Sequence, residues 1–264
     1  MTKNSWKRLA GVLAVAAVVL LMLIPCVTGE AHAASKKSTV ISKIYVNADG
    51  GLPFWIRFRY NKDGLVKEII RQLDDPAEPR EKTVFKYDKN GRITEAIITP
   101  GYDDEKLYHK YSYDEKGRLK ECKMGYVNSD TWEEGVWYYY KNAKAKYPNK
   151  LIRWYGQTET MKLSFNKHGQ PTRIGNQTYR YNKKGFPLSM KERGKKKAYT
   201  KFTYKKKGMT YIAKNTILHK NDENMNEIKY YTKKINHSRT KAMKQQQYLL
   251  KCYGFPVMKM DPLF

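Results

Sequence analysis

The sequence predicts an all-β protein. Its form is an antiparallel meander of β-hairpin repeats, an open twisted or curved sheet with a short C-terminal capping helix. Three observations carry that reading. A seven-residue pattern, aromatic-x-aromatic-(Asp/Asn)-x-x-Gly, recurs along the chain. Tyr numbers 22, and the chain is 13% aromatic and 41% hydrophobic, enough apolar surface to form a core despite 29% charged residues. Only 3 cysteines occur in 264 residues, which excludes a disulfide-stapled scaffold.

The repeats run in order as Phe58–Gly64, Phe85–Gly91, Tyr111–Gly117, Leu163–Gly169, Tyr179–Gly185 and Phe202–Gly208. A degenerate copy lies at Tyr138–Asn142, where an insertion containing Pro148 and Asn149 replaces the glycine, and a remnant lies at Lys229–Tyr231. The second aromatic of each copy falls at 60, 87, 113, 140, 165, 181, 204 and 231. Aromatic-x-aromatic places two rings on one face of a strand, because side chains alternate. The Asp or Asn that follows bonds its own backbone and starts a turn, and Gly supplies the positive φ that ends it. The chain then returns as a second strand, clearest in Arg92–Ile97. One hairpin is marginal in water, so neighbours must pair side by side and share a buried aromatic face.

The remaining segments flank this array. Residues 1–33 read as a secretory signal peptide: Lys3, Lys7 and Arg8, then an apolar run from Leu9 to Val27, then Ala31-His32-Ala33 at the cleavage site. The run is also just long enough to act as an uncleaved anchor; with the signal removed, no membrane span remains. Residues 34–53 form a linker and a first strand, Val40–Val46. The repeats occupy 54–232. The last unit, 233–264, holds a helix from Arg239 to Lys251 behind a Ser238 cap, with Ala242, Leu249 and Leu250 facing inward. Such a helix covers the end of a repeat array, as terminal caps do. After cleavage Cys122 and Cys252 remain, either paired or separately buried.

The formal net charge of +27 makes polyanions the default partners, and the charge is lopsided. Residues 150–264 carry 27 Lys and Arg against 6 Asp and Glu, a net of +21, whereas residues 34–149 carry 22 against 18, a net of +4. The densest stretch supplies the candidate polyanion-binding residues: Arg193, Lys195, Lys196, Lys197, Lys201, Lys205, Lys206 and Lys207. The middle of this run, around Gly194, is expected in the loop between two hairpins and Lys205–Lys207 in a hairpin turn, together along one edge of the sheet. The competing account is that the lysines keep the sheet soluble and guard its edges. For an exported protein, anionic surface polymers and acidic glycans come before nucleic acid as ligands. A protein partner at the sheet edge is the other partner class.

The sequence carries no recognisable catalytic pattern. His109, His168, His219 and His237 have no metal-ligand partner at the usual spacing, so neither a metal nor a cofactor is expected. No Gly-x-Ser-x-Gly, phosphate loop or His-Glu-x-x-His occurs. The acids at Asp74-Asp75, Asp103-Asp104-Glu105 and Glu133-Glu134 read as turns or strand edges. Cys122 reads as a buried structural thiol. The aromatic run Thr131–Tyr140 resembles a single choline-binding repeat of cell-wall proteins, but it stands alone, and it reads instead as a strand with aromatic core residues.

Tyr87-Asp88-Lys89-Asn90-Gly91-Arg92-Ile93 and Tyr113-Asp114-Glu115-Lys116-Gly117-Arg118-Leu119 resemble the tyrosine-aspartate (YD) repeats of Rhs-type and teneurin-type surface proteins. The resemblance covers roughly residues 54–212. Asn replaces Asp at 61, 166 and 182, and Lys replaces it at 205. It implies long β-sheets that in larger members spiral into a hollow shell around a toxin. About seven copies are too few, by that analogy, to close such a shell, so the packaging role is not expected here. The expectation is an exported, non-catalytic bacterial envelope protein. It would bind anionic polymers or glycans through its basic half, or else act as a structural or protein-interaction module.

Overall fold

The computed structural model describes residues 36–47, 52–75, 77–101, 105–129, 131–194, 196, 200–207, 210–219, 222–237 and 240–251. The signal-peptide segment, Ser238 and Cys252 lie outside them. In chain order the first strands are β1 (Lys36–Asn47), β2 (Phe54–Tyr60), β3 (Val66–Leu73), β4 (Glu81–Tyr87), β5 (Ile93–Thr99), β6 (Leu107–Tyr113), β7 (Leu119–Tyr126) and β8 (Glu134–Tyr139). There follow β9 (Lys150–Trp154), β10 (Thr158–Phe165), β11 (Pro171–Ile174), β12 (Gln177–Tyr181), β13 (Pro187–Glu192), β14 (Thr200–Lys207), β15 (Thr210–His219) and β16 (Asp222–His237). One helix, α1 (Thr240–Leu250), ends the described chain.

The all-β antiparallel meander with a C-terminal helix is what forms. The sheet, however, is closed rather than open. Each strand pairs antiparallel with its neighbours in sequence, and β1 pairs with both β2 and β16. Counting repeats understates the strands, since each copy brings two and β1 adds the one that meets β16. Their accumulated right-handed twist brings the two ends of the sheet together. The seam is long, running from Lys36↔His237 to Asn47↔Glu227 with one bulge between Ile41 and Lys43. Among the described strands no edge is left for a partner strand, and none for lysines to guard.

A round barrel of sixteen strands encloses water. This one is filled by its own side chains. Ile44, Leu151, Ile228 and Tyr230 are 0% exposed. The Phe186 ring, just before β13, lies 5.1 Å from that of Tyr230 on β16, so side chains from across two intervening strands meet in the interior.

The repeat motif explains itself atom by atom. In the second hairpin, Asp88 Oδ1 accepts the Asn90 and Arg92 N–H groups, both at 2.9 Å, and Gly91 N–H bonds Asp88 O at 3.0 Å. Gly91 sits at φ 77°, the left-handed region that closes the turn. Arg92 then pairs back to Asp88 at 2.5 Å and lays its guanidinium 4.7 Å over Tyr113 of the next repeat. Arg118 repeats this with Asp114 at 2.7 Å and with Tyr140 at 4.1 Å. Burial alone would raise the Asp114 carboxyl, but the backbone and side-chain hydrogen bonds from Arg118 outweigh it and hold it below the usual carboxylate range.

In four copies the second aromatic, a tyrosine, serves the neighbouring repeat. Tyr87 O–H donates to Val66 O at 2.6 Å, Tyr113 to Ile93 O at 2.6 Å, Tyr140 to Leu119 O at 2.9 Å and Tyr181 to Pro171 O at 2.7 Å. Every acceptor lies two residues past a turn glycine, or at the matching place in the chain, where a bulge shifts the register. The tyrosines therefore satisfy carbonyls at a ladder defect, each bond worth about 1 kcal/mol. The last copy departs from expectation. Tyr230, not Tyr231, points inward, and its hydroxyl bonds Lys251 O at 2.9 Å.

Where Asn replaces Asp, no arginine follows the glycine: Leu65, Gln170 and Phe186 stand there, all 3% exposed or less. These turns face α1. Leu65 packs with Ala242 and Leu249. Gln170 Nε2 donates to Gly185 O at 2.7 Å and Tyr248 O at 2.9 Å. A neutral turn residue with an apolar or amide follower is what a buried helix contact requires; an aspartate–arginine pair there would have to be desolvated. The helix thus stoppers the glycine-turn end of the barrel. Ala242, Leu249 and Leu250 face inward as the sequence implies, joined by Met243, Gln246 and Gln247.

Candidate polyanion-binding face

The basic stretch falls on β13, β14 and the loop between them. β13 begins past the turn Asn182–Gly185, and alternation puts Met190 into the core (5% exposed) while Ser189 and Lys191 face out. β14 alternates likewise: Phe202 is core (4% exposed) and Lys201 is exposed. After β13 the Arg193 N–H bonds Asn176 O at 2.7 Å, and Gly194 turns the chain at φ 84° with nothing within 4 Å of a would-be Cβ. Arg193 and Lys196 are exposed in this loop.

The predicted residues do not form one compact cluster. Arg193, Lys196 and Lys201 lie toward one end of the barrel, and Lys195 and Lys197 lie outside the described residues. Lys205–Lys207 are in β14, not in a turn: they pair with Ile212, Tyr211 and Thr210. The reason is local. Lys205 stands where other copies have Asp or Asn, and its side chain offers no oxygen to accept the two N–H groups that hold the turn. Pairing therefore continues to Lys207↔Thr210. β14 is 8 residues long, which places Lys207 about 23 Å from Thr200 at 3.3 Å per residue.

Across the strands the sheet gathers bases that sequence proximity does not show. Arg180 pairs with Ser189 and Ser189 with Lys201, a row of two outward cations about 10 Å apart around a hydroxyl. Arg173 pairs with Thr178 and Thr178 with Lys191, a second row of the same kind. Alternating outward positions on adjacent hairpins were the signal that could have found Arg173, Arg180 and Lys191.

Ion pairs neutralise cations in both halves of the barrel: Arg59 with Glu68 at 3.1 Å, Lys86 with Glu95 at 2.7 Å and Lys123 with Glu121 at 3.6 Å, besides the turn pairs, and then Arg153 with Glu134 at 2.6 Å and Lys229 with Glu227 at 2.9 Å. Among the described residues no ion pair holds Arg173, Arg180, Lys191, Arg193, Lys196 or Lys201.

The groups weighed for catalysis are occupied structurally. Burial lowers His109 to about 3, and its Nδ1 meets Tyr111 Oη at 3.0 Å. Cys122 is free and fully buried, and burial drives its thiol far up, away from a nucleophilic thiolate. His168 stacks on Tyr248 at 4.0 Å, and His237 Nε2 meets Ser38 Oγ at 2.8 Å. Asp74 accepts Trp55 Nε1–H at 2.8 Å. Asp103 and Asp104 lie outside the described residues. Among those described, no three His, Cys, Asp or Glu residues gather as a metal site, and no helix is long and apolar enough to cross a membrane.

Comparison with known proteins agrees with the repeat chemistry. No curated protein matches the chain. Among solved structures it is similar to a porin-like protein from Bacteroides uniformis ATCC 8492, at 9% identity and TM-score 0.38, covering 73% of this chain and 98% of that one. It is also similar to chains in the TcdB2-TccC3-Cdc42 structure, at 8% identity and TM-score 0.21, covering 61% of this chain and 13% of that one. The Photorhabdus luminescens Tc holotoxin pore gives 10% identity and TM-score 0.20, with the same two coverages. The chain therefore spans about an eighth of the toxin-complex chains it matches. A family model described as Teneurin YD-shell matches residues 40–256. That family comprises structural β-repeat modules of extracellular or secreted proteins. The match takes in all the turns held by Asp or Asn and the whole tyrosine ladder that links them, and on that ground the chain belongs to the Teneurin YD-shell family.

Proposed function

We propose that this structural β-repeat barrel is a non-catalytic, exported protein of the bacterial envelope that holds anionic surface polymers against the outer face of β11–β14. The carrying observation is the cross-strand row Arg180–Ser189–Lys201, with its parallel row Arg173–Thr178–Lys191, whose cations have no ion-pair partner among the described residues. Closure of the sheet supports the reading, because lysines are not needed to protect edges that the described strands do not have. Lys195, Lys197 and Lys205–Lys207 extend the same charge along the chain.

The test is sedimentation of the purified protein with cell walls, with and without their anionic polymers, across a salt series. Binding is expected to require the polymer, to fall steeply with salt because exposed charges are screened within about 10 Å at 0.1 M, and to drop at least tenfold in an Arg180→Gln/Lys191→Gln/Lys201→Gln variant. Binding indifferent to salt and to these changes contradicts the proposal and favours a protein-interaction module whose charge serves solubility.

A further inference from the structure

Among the described residues, the exposed aromatic side chains are concentrated on one part of the surface. Trp132 and Trp154 are each 38% exposed and Tyr139 is 42% exposed. They lie on the outer side of β7–β10. Sequence reading places the aromatics of Thr131–Tyr140 in the core; Tyr138 is there, but Trp132 is exposed and Trp137 faces outward.

The three indoles form one rigid platform. Trp132 meets Trp137 edge-on at 6.0 Å and Trp154 at 5.2 Å. Gly135 is the floor beneath them: a Cβ there would lie 2.8 Å from the Trp137 ring and 3.1 Å from that of Trp132. Trp137 Nε1–H is tied to Glu121 at 2.9 Å. Rings this close leave no cage for a ligand between them, so only their outer surfaces are available, and the choline-cage arrangement does not form.

One cation lies over the platform and others lie along the strands from it. Lys123 Nζ lies 5.7 Å over the Trp132 ring, and Lys150 Nζ lies 4.3 Å over the Tyr139 ring. Tyr139 pairs with Lys150 and Lys150 with Lys162, and Lys162 is exposed. This row lies four residues, about 13 Å, along the strands from the Gly135↔Trp154 pair, and the next strand beyond Lys162 is β11, which carries Arg173.

We propose that the anionic polymer is an acidic polysaccharide, with sugar rings laid on Trp132 and Trp154 and its acidic groups on Lys150 and Lys162. The inference rests on the polyanion-binding reading and names its ligand class. The apolar C–H face of a pyranose matches an indole surface, and its hydroxyls take up what the platform offers. Among the described residues, neither Trp132 nor Trp154 donates its indole N–H. A purely apolar protein partner would bury those two N–H groups without acceptors, at a cost. A sugar-free polyanion has no use for the rings. Single-stranded nucleic acid stacks successive bases on separated aromatics along a groove, whereas these indoles are locked edge-to-face in one cluster.

The test measures affinities of the purified protein for polygalacturonate, inorganic polyphosphate and oligo(dT). Trp154→Ala and Trp132→Ala are each expected to weaken polygalacturonate binding about tenfold (~1.4 kcal/mol) while polyphosphate binding stays within twofold. Trp154→Phe should recover most of the loss, which separates stacking from misfolding. Lys150→Gln/Lys162→Gln should weaken both polymers. Tryptophan changes that move neither polymer, or both equally, overturn this inference alone, as does tighter binding of oligo(dT) than of polygalacturonate. A wild-type protein that binds none of the three overturns the polyanion reading beneath it.

Discussion

Gly185→Ala is expected to destabilise the protein by about 3 kcal/mol or more, far beyond a usual surface change. Two effects combine. Gly185 sits at φ 83°, where an L side chain costs about 1–2 kcal/mol. An added Cβ would also lie 2.3 Å from Tyr248 Cδ1 and 2.6 Å from its Cε1, both in α1. That ring cannot simply swing away, because its other side stacks on His168 at 4.0 Å. Overpacking of this kind adds about 1–3 kcal/mol. Gly194→Ala is the internal control: it shares a φ of 84° but has nothing within 4 Å, so it should cost only about 1–2 kcal/mol. Urea unfolding of both variants isolates the helix contact as the difference. Equal losses would mean that α1 does not press on this turn.

The double change Gln246→Leu/Gln247→Leu is expected to cost about 4 kcal/mol, although it adds apolar surface at similar volume. Gln247 Oε1 accepts Ile41 N–H at 2.7 Å, and its Nε2 donates to Tyr60 Oη at 3.1 Å, while that hydroxyl donates back to Ile41 O. Gln246 does the same for Val66: Oε1 takes the N–H at 2.9 Å, Nε2 donates to Tyr87 Oη at 3.1 Å, and Tyr87 O–H donates to Val66 O at 2.6 Å. Each amide and tyrosine together clamp both polar groups of one backbone residue where a bulge interrupts the ladder. Burial, the dominant influence, holds the Tyr60 and Tyr87 hydroxyls protonated and so able to donate. Leucine orphans two buried N–H groups at about 1–3 kcal/mol each and leaves two hydroxyls short of a donor. A loss under about 1 kcal/mol would show that water or the strands satisfy these groups without the helix.

What the sequence discloses follows from how local each interaction is. The turns are legible because Asn61 or Asp88 bonds the backbone two and four residues on, within the motif itself. The inward helix face is legible because Ala242, Leu249 and Leu250 recur at helical spacing. Closure is not, since it depends on β1 meeting β16 nearly two hundred residues away. The inward place of Gln246 and Gln247 is not legible either, since it depends on distant backbone groups of Ile41 and Val66 that bulges leave unpaired. In Lys229-Tyr230-Tyr231 either tyrosine could face inward, because the turn that sets register elsewhere is missing. The basic residues are plain in sequence, but their grouping into Arg180–Ser189–Lys201 depends on hairpin register.

The structure turns on closure, since a closed sheet leaves the lysines no edge to guard among the described strands. Residues Lys43–Val46 pair with β2 on one side and β16 on the other. Antiparallel pairing directs alternate amides to alternate neighbours. In a closed barrel, amide hydrogen exchange should therefore find all four of these N–H groups protected to the level of interior strands such as β6. Fast exchange at every second one of them would mean that the β1–β16 seam is open and would contradict the account.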